Sequence, residues 1–322
     1  MSAIDRRQAL ISSAALASGF GLAAAGAACT GSGGIQSAAA APATGGAGPS
    51  AGRGPFIEGQ GGAQLFHLDW GTGAPIVFLH AWALDAELWE YQMIALAERG
   101  WRCIAYDRRG HGRSSAPGRG YDFDTLADDL AAVLDRLDLR GVTLVGHSMG
   151  GGEIARYLSR HGAARIARVV LASSITPLVG KKPDNPDGTD PSQYEALIAM
   201  IKQDRPALLT GGVPLFVGDR TISPAMLQWL TAQFLRASPR AAIECMRAIA
   251  VADFRPDLAA FTIPTLISHG DADKLNPIDK TARRTAQAIR GSELKVYPGA
   301  PHGLTITDRD RFNQDLLAFL GG

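Results

Sequence analysis

From about position 56 the hydrophobic positions of the chain switch repeatedly between two periods. Residues 64–70 alternate polar and apolar, as in a strand with one wet face. Residues 76–80, 101–106, 142–145, 167–172, 265–269 and 294–297 are short apolar runs, as in strands buried on both faces. Between them, 87–99, 123–137, 153–161, 277–289 and 309–320 have helical spacing. In 123–137 the apolar positions Phe123, Leu126, Leu130, Val133, Leu134 and Leu137 make one stripe. This alternation predicts an α/β fold: a mostly parallel sheet with helices on both faces. The rhythm breaks at about 175–253. That segment starts with Pro- and Asp-rich loop sequence and continues with helical patterns at 194–203, 224–235 and 240–250. A helical cap inserted over the C-terminal edge of the sheet is the economical interpretation, and ligands of open α/β sheets bind at that edge.

The first fifty residues follow neither period. Arg6-Arg7 precede a weakly hydrophobic, Ala-rich stretch ending at Ala28. A charged start, an apolar middle and small residues at the end predict an export signal over 1–28, and the paired arginines suggest the twin-arginine route. A Gly/Ala/Pro-rich linker over 29–54 leads to the folded domain, 55–322. Cys29 opens that linker. Either it carries lipid and tethers the protein to a membrane, or it is an ordinary residue beside the cleavage site; Gly26-Ala27-Ala28 lacks the leucine usual before a lipidated cysteine. The expected location is therefore periplasmic or cell-surface.

Composition narrows the chemistry. With 32 basic and 31 acidic residues the net charge is +1 and no basic block stands out, which argues against nucleic acid as a partner. At 46% hydrophobic, the domain has enough apolar residues for a core without disulfide staples. Cys103 and Cys245 fall in an apolar run and a helical pattern, so they are expected to be buried. No metal-ligand spacing of His and Cys occurs.

The run 142–153 (Val-Thr-Leu-Val-Gly-His-Ser-Met-Gly-Gly-Gly-Glu) carries the sharpest signal. It is G-x-S-x-G in strand–turn–helix context, which places Ser148 at a tight turn and helix N–H groups beside it. In a chain with 38 glycines the bare pattern is weak; a base and an acid in the right order strengthen it. A serine hydroxyl needs a base near neutral pH. His302, in Pro-Gly-Ala-Pro-His-Gly after the last strand pattern, is the best of seven histidines. Asp273, in the loop after 265–269, supplies the carboxylate that holds the base, and Asp271 is expected to brace that turn. Two backbone N–H groups are expected for the oxyanion: Met149, directly after the serine, and Trp82, in the loop after 76–80. Ala83, Phe216, Trp229, Leu275 and Ile278 are candidates for the substrate pocket. His80, His147 and His269, at strand ends close to the site, are expected to line the pocket or hydrogen-bond around it rather than act as bases. The Asp107–Ser114 run is glycine-rich but lacks a P-loop lysine, so a braced turn is expected there.

These segments, with Trp82…Leu84-Asp85…Leu88-Trp89-Glu90-Tyr91-Gln92, Asp253–Leu258 and Pro301-His302-Gly303, resemble the bacterial arylesterase and non-haem haloperoxidase (perhydrolase) branch of the α/β hydrolases. The similarity runs from Phe56 to Leu320. It implies an eight-stranded α/β-hydrolase fold, a Ser148–Asp273–His302 triad, oxyanion donors at Trp82 and Met149, and no metal or haem cofactor. It implies hydrolysis of a small carboxylic or aryl ester, or peracid formation from hydrogen peroxide at the same site. Two residues depart from the family pattern. Ala81 stands where Gly is usual, and Ala83 where efficient perhydrolases often carry Pro; the latter favours ester hydrolysis and a wider acyl pocket.

Overall fold

The structure is a computed structural model that describes residues 54–321. The export signal, Cys29 and nearly all of the linker expected from the sequence lie outside the described residues.

The apolar runs become an eight-stranded sheet. In chain order the strands are β1 (Phe56–Glu58), β2 (Gln64–Trp70), β3 (Pro75–Leu79), β4 (Arg102–Tyr106), β5 (Val142–His147), β6 (Ile166–Ala172), β7 (Thr265–Gly270) and β8 (Glu293–Tyr297). Their spatial order is β1-β2-β4-β3-β5-β6-β7-β8. The pairings β1–β2 and β2–β4 are antiparallel; the rest are parallel. Alternate residues enter two separate cores, as a period of two requires. Val77, Leu79, Ile104, Tyr106, Val142 and Leu144 face one core; Ile76, Phe78, Cys103, Ala105 and Val145 face the other.

On the first face lie α2 (Phe123–Arg136) and α3 (Met149–His161). Helix α2 starts where Asp122 accepts the Thr125 N–H (2.9 Å), and its stripe of Phe123, Leu126, Leu130, Val133 and Leu134 is buried. On the second face lie α1 (Glu90–Ala97) and, at the chain's end, α9 (Arg309–Leu320), through Met93, Leu96, Phe312 and Leu316. Residues 87–99 were expected as one helix; the first turn is a 3₁₀ helix over Ala86–Trp89, started by Asp85 accepting the Glu87 N–H (3.1 Å).

The insertion between β6 and β7 holds α4 (Pro191–Val217), α5 (Pro224–Arg236) and α6 (Pro239–Val251). All three start alike: Asp190, Ser223 or Ser238 accepts a backbone N–H, and proline follows in the first turn. Helix α4 is far longer than the expected 194–203. At Asp204 the backbone leaves helical geometry (φ −154°, ψ 79°), and its carboxylate accepts the Ala207 N–H (3.0 Å) to start a second helical stretch. Pro206, Pro214 and the Gly211-Gly212 pair hid that stretch in the sequence. Conversely, only Ala282–Ala288 of 277–289 is helix (α7); Ile278 to Thr281 are turns. A short helix, α8 (Leu304–Thr307), follows His302.

Candidate active site

The site forms where β3, β5, β7 and β8 end. Strand β5 delivers His147 and Ser148, and α3 begins at the next residue. Ser148 adopts φ 54°, ψ −112°, a strained backbone for a non-glycine residue, of the kind that functional turns hold. The turn is that sharp because α3 comes almost into backbone contact with two strands. A Cβ on Gly146 would lie 2.6 Å from the Gly150 backbone, and one on Gly150 would lie 2.4 Å from the Leu79 carbonyl. The Gly151 N–H donates to the Ser148 carbonyl (3.0 Å), while the Met149 N–H, at the very start of α3, precedes any intrahelical acceptor and adds to the partially positive surround of the serine.

His302 arrives on the loop between β8 and α8. Its Nδ1–H donates to Asp273 Oδ2 at 2.8 Å. Asp273 sits after β7, and its other oxygen accepts the N–H groups of Leu275 (2.9 Å) and Asn276 (2.8 Å). Burial alone would raise the Asp273 carboxyl; the pull of His302 and His269 outweighs it and holds it well below the usual carboxylate range. It is therefore an anion at any working pH. His269 Nε2–H donates to the Asn276 carbonyl (2.7 Å) and lies 3.3 Å from Asp273 Oδ2. Asn276 was not foreseen: its side-chain amide also donates to the Ser173 carbonyl (2.9 Å), tying the acid loop to the end of β6. The Asn-Pro step at 276–277 was the available signal. Asp271 braces the next loop by accepting the Gly299 N–H (2.6 Å).

His147 links the serine turn to the histidine loop. Its Nε2–H donates to the His302 carbonyl at 2.9 Å, and the two rings lie 5.0 Å apart. Burial and the neighbouring His302 push His147 down to about 3, so it stays neutral. Of the expected pocket residues, Phe216 lies against the two histidines: its ring is edge-on to His302 at 5.9 Å and to His147 at 5.7 Å. Leu275, beside Asp273, is 46% exposed. Trp229 packs edge-on against Tyr91 (5.9 Å), and Ile278 is buried in the first core.

The Trp82 loop is a turn closed by the Leu84 N–H on the Ala81 carbonyl (3.3 Å). Trp82 Nε1–H donates to the Ala242 carbonyl of α6 (2.9 Å), which ties the loop to the cap. Ala83 is fully buried at φ 60°. Proline's ring fixes φ near −65°, so a proline here would need a different loop backbone. The Asp107–Ser114 run forms a braced turn. Asp107 accepts the N–H groups of Ala86 (2.8 Å) and Arg113 (2.7 Å), and Gly112, at φ 52°, passes so close that a Cβ would meet Asp107. Cys103 and Cys245 are free and buried, and burial pushes both thiols up to about 12.

An α/β-hydrolase fold family model matches residues 74–308. The chain is 42% identical over 274 residues to a non-heme chloroperoxidase (CPO-A1) of Kitasatospora aureofaciens, covering 83% of this chain and 99% of that protein. It is 34% identical over 273 residues to a bifunctional esterase/perhydrolase of Acinetobacter calcoaceticus, covering 82% and 99%. The solved structure of a bromoperoxidase from Bacillus anthracis superimposes with a TM-score of 0.80 at 41% identity, covering 83% and 99%.

Proposed function

The chain belongs to the α/β-hydrolase family, and from that premise we propose that it hydrolyses small carboxylic esters, aryl esters included, through an acyl-enzyme on Ser148. One observation carries this reading. His302 is held by an ionised Asp273 through Nδ1, and its own carbonyl is bonded to the residue before Ser148. With Nδ1 protonated towards Asp273, Nε2 keeps its lone pair and serves as the base.

In this mechanism Ser148 Oγ attacks the ester carbonyl while His302 Nε2 takes its proton. The new oxyanion accepts the N–H groups of Met149 and Trp82. Collapse of the tetrahedral intermediate expels the alcohol, which takes the proton from His302. Water then attacks the acyl-enzyme, with His302 as base once more, and releases the acid. Asp273 stays ionised throughout and stabilises the imidazolium. The apolar edge of Phe216 beside His302 suits a small acyl or aryl group over a charged one.

The test is turnover of p-nitrophenyl acetate by the protein and by Ser148→Ala. A loss of at least about 1,000-fold in kcat is expected. Undiminished turnover would remove Ser148 from the mechanism. A second reaction at the same site is favoured by the bifunctional esterase/perhydrolase among the relatives. Hydrogen peroxide would replace water at the acyl-enzyme and leave as a peracid. Bromination of monochlorodimedone with acetate, bromide and peroxide separates the two: good ester turnover without bromination leaves hydrolysis as the sole activity.

A further inference from the structure

A buried charged cluster lies between the turn that holds Ser148 and the loop that holds Trp82, and the mechanism above uses none of it. Arg108 follows β4 and Glu153 sits on α3; their side chains are 2% and 0% exposed. Arg108 Nε donates to Glu153 Oε2 at 2.8 Å, and the Tyr106 hydroxyl donates to Oε1. Both carboxylate oxygens are thus engaged. The same guanidinium reaches the end of β3, where Nη2 donates to the His80 carbonyl at 2.8 Å. The Arg108 backbone N–H donates to His80 Nε2 (2.9 Å), and His80 Nδ1–H donates to the Ala81 carbonyl (2.8 Å).

The placement of these bonds is informative. Ala81 directly precedes Trp82, and Glu153 lies one helical turn beyond Met149. The cluster grips the backbone on one side of the expected oxyanion position and the helix on the other. Between the two grips, Gly150 and the Leu79 carbonyl approach so closely that no Cβ fits. A buried ion pair is a poor device for stability, because desolvation offsets most of the attraction and apolar replacement is often neutral or stabilising. It is a good device for fixing geometry, because a planar, forked guanidinium accepts few orientations.

We propose that Arg108 and Glu153 are positioning residues that set the spacing of the Trp82 and Met149 N–H groups, and so the strength with which the site binds an oxyanion. The proposal rests on the serine-esterase reading above. Neither side chain is assigned contact with substrate. Both act through the backbone they hold.

The experiment measures kcat and KM for p-nitrophenyl acetate, the Ki of phenylboronic acid, and Tm. Phenylboronic acid forms a tetrahedral adduct on an active serine and so reports on the oxyanion donors. In Arg108→Met/Glu153→Leu no charge is left unpaired. Its Tm is expected to stay level or fall modestly, since the Tyr106 hydroxyl and the His80 carbonyl lose a partner, while kcat falls about 10- to 100-fold, KM stays within about threefold and Ki rises in step with the loss of kcat/KM. Tyr106→Phe removes one hydroxyl and is expected to lose about three- to tenfold in kcat with the same Ki behaviour. Asp315→Asn is the control. Asp315 pairs with Lys295 of β8 (2.8 Å) and accepts the Tyr297 hydroxyl, with no bond to the cluster, so its loss lowers Tm with kcat unchanged. A folded double variant with normal kcat and Ki overturns the proposal; where that variant does not fold, normal values in Tyr106→Phe overturn it. Full turnover in Ser148→Ala sinks the reading of the site itself. A dead Ser148→Ala beside a fully active double variant sinks this inference alone.

Discussion

At the scale of single residues, the site depends on how one carboxylate is surrounded. Asp273 is buried, yet two N–H groups, His302 and His269 keep it charged. In the proposed mechanism it holds one tautomer of His302, and an amide in its place favours the other. Asp273→Asn is therefore expected to fold normally and to lose about 10⁴-fold in kcat for p-nitrophenyl acetate; a loss under tenfold would show that His302 is oriented without the carboxylate. The acid limb of the kcat/KM profile should carry no contribution from Asp273 in the ordinary carboxylate range, since it remains ionised there. Ser148, Asp273 and His302, the residues of the proposed mechanism, stood out in the sequence because each sits in a short glycine- or proline-marked loop at a strand end. The Arg108–Glu153 pair was not. A buried charge looks like any surface charge until the partner from a distant segment is in place, and the same holds for the pocket. Apolarity alone selects Trp229 and Ile278 in the sequence, and apolarity does not distinguish a side chain that lines a cavity from one that fills a core.

At the scale of elements, the close approach of α3 to β3 and β5 does the positioning. Gly150 is helical and has no unusual φ, so its need for glycine comes from space alone. Gly150→Ala puts a methyl 2.4 Å from the Leu79 carbonyl, a backbone atom with no rotamer to give way. Pushing α3 outward should cost about 1–3 kcal/mol in urea unfolding and should lower kcat as well, because Ser148 and Met149 ride on that helix. Loss of stability with unchanged kcat would show that the helix start can shift without disturbing the serine. The strands were legible because parallel strands buried on both faces must be apolar throughout. Helix α4 was not, because a cap made by Asp204 lets a second helix start where Pro206, Pro214 and two glycines read as a loop. Strand β1 is only three residues long, too short to show a period.

At the scale of the whole molecule, the fold encloses histidines in places water cannot reach. His111 and His147 are fully buried, and burial is the main reason both are pushed down to about 3; the Arg108 charge adds to the effect at His111, and His302 at His147. His80 shifts the same way under burial and the Arg108 charge. In the unfolded chain each would take up a proton as pH falls below about 6.5, while the folded protein keeps them neutral until far lower pH. Acid thus favours the unfolded state: the stability these groups confer is complete above about 6.5 and drains away as pH falls towards 3. Each withheld proton costs about 1.4 kcal/mol per pH unit across that window. His111 offers a clean measurement, because its Nδ1–H donates to the Arg109 carbonyl (3.0 Å) and it lies outside the His302–Asp273 pair. His111→Gln removes one titrating group. Urea unfolding at pH 7.5 and pH 5 should show that the wild-type deficit at the lower pH shrinks by about 2 kcal/mol in the variant, whatever its stability at pH 7.5. An identical deficit in both proteins would mean that His111 is protonated in the folded state at pH 5, and hence that water or a counter-charge reaches a ring the packing encloses.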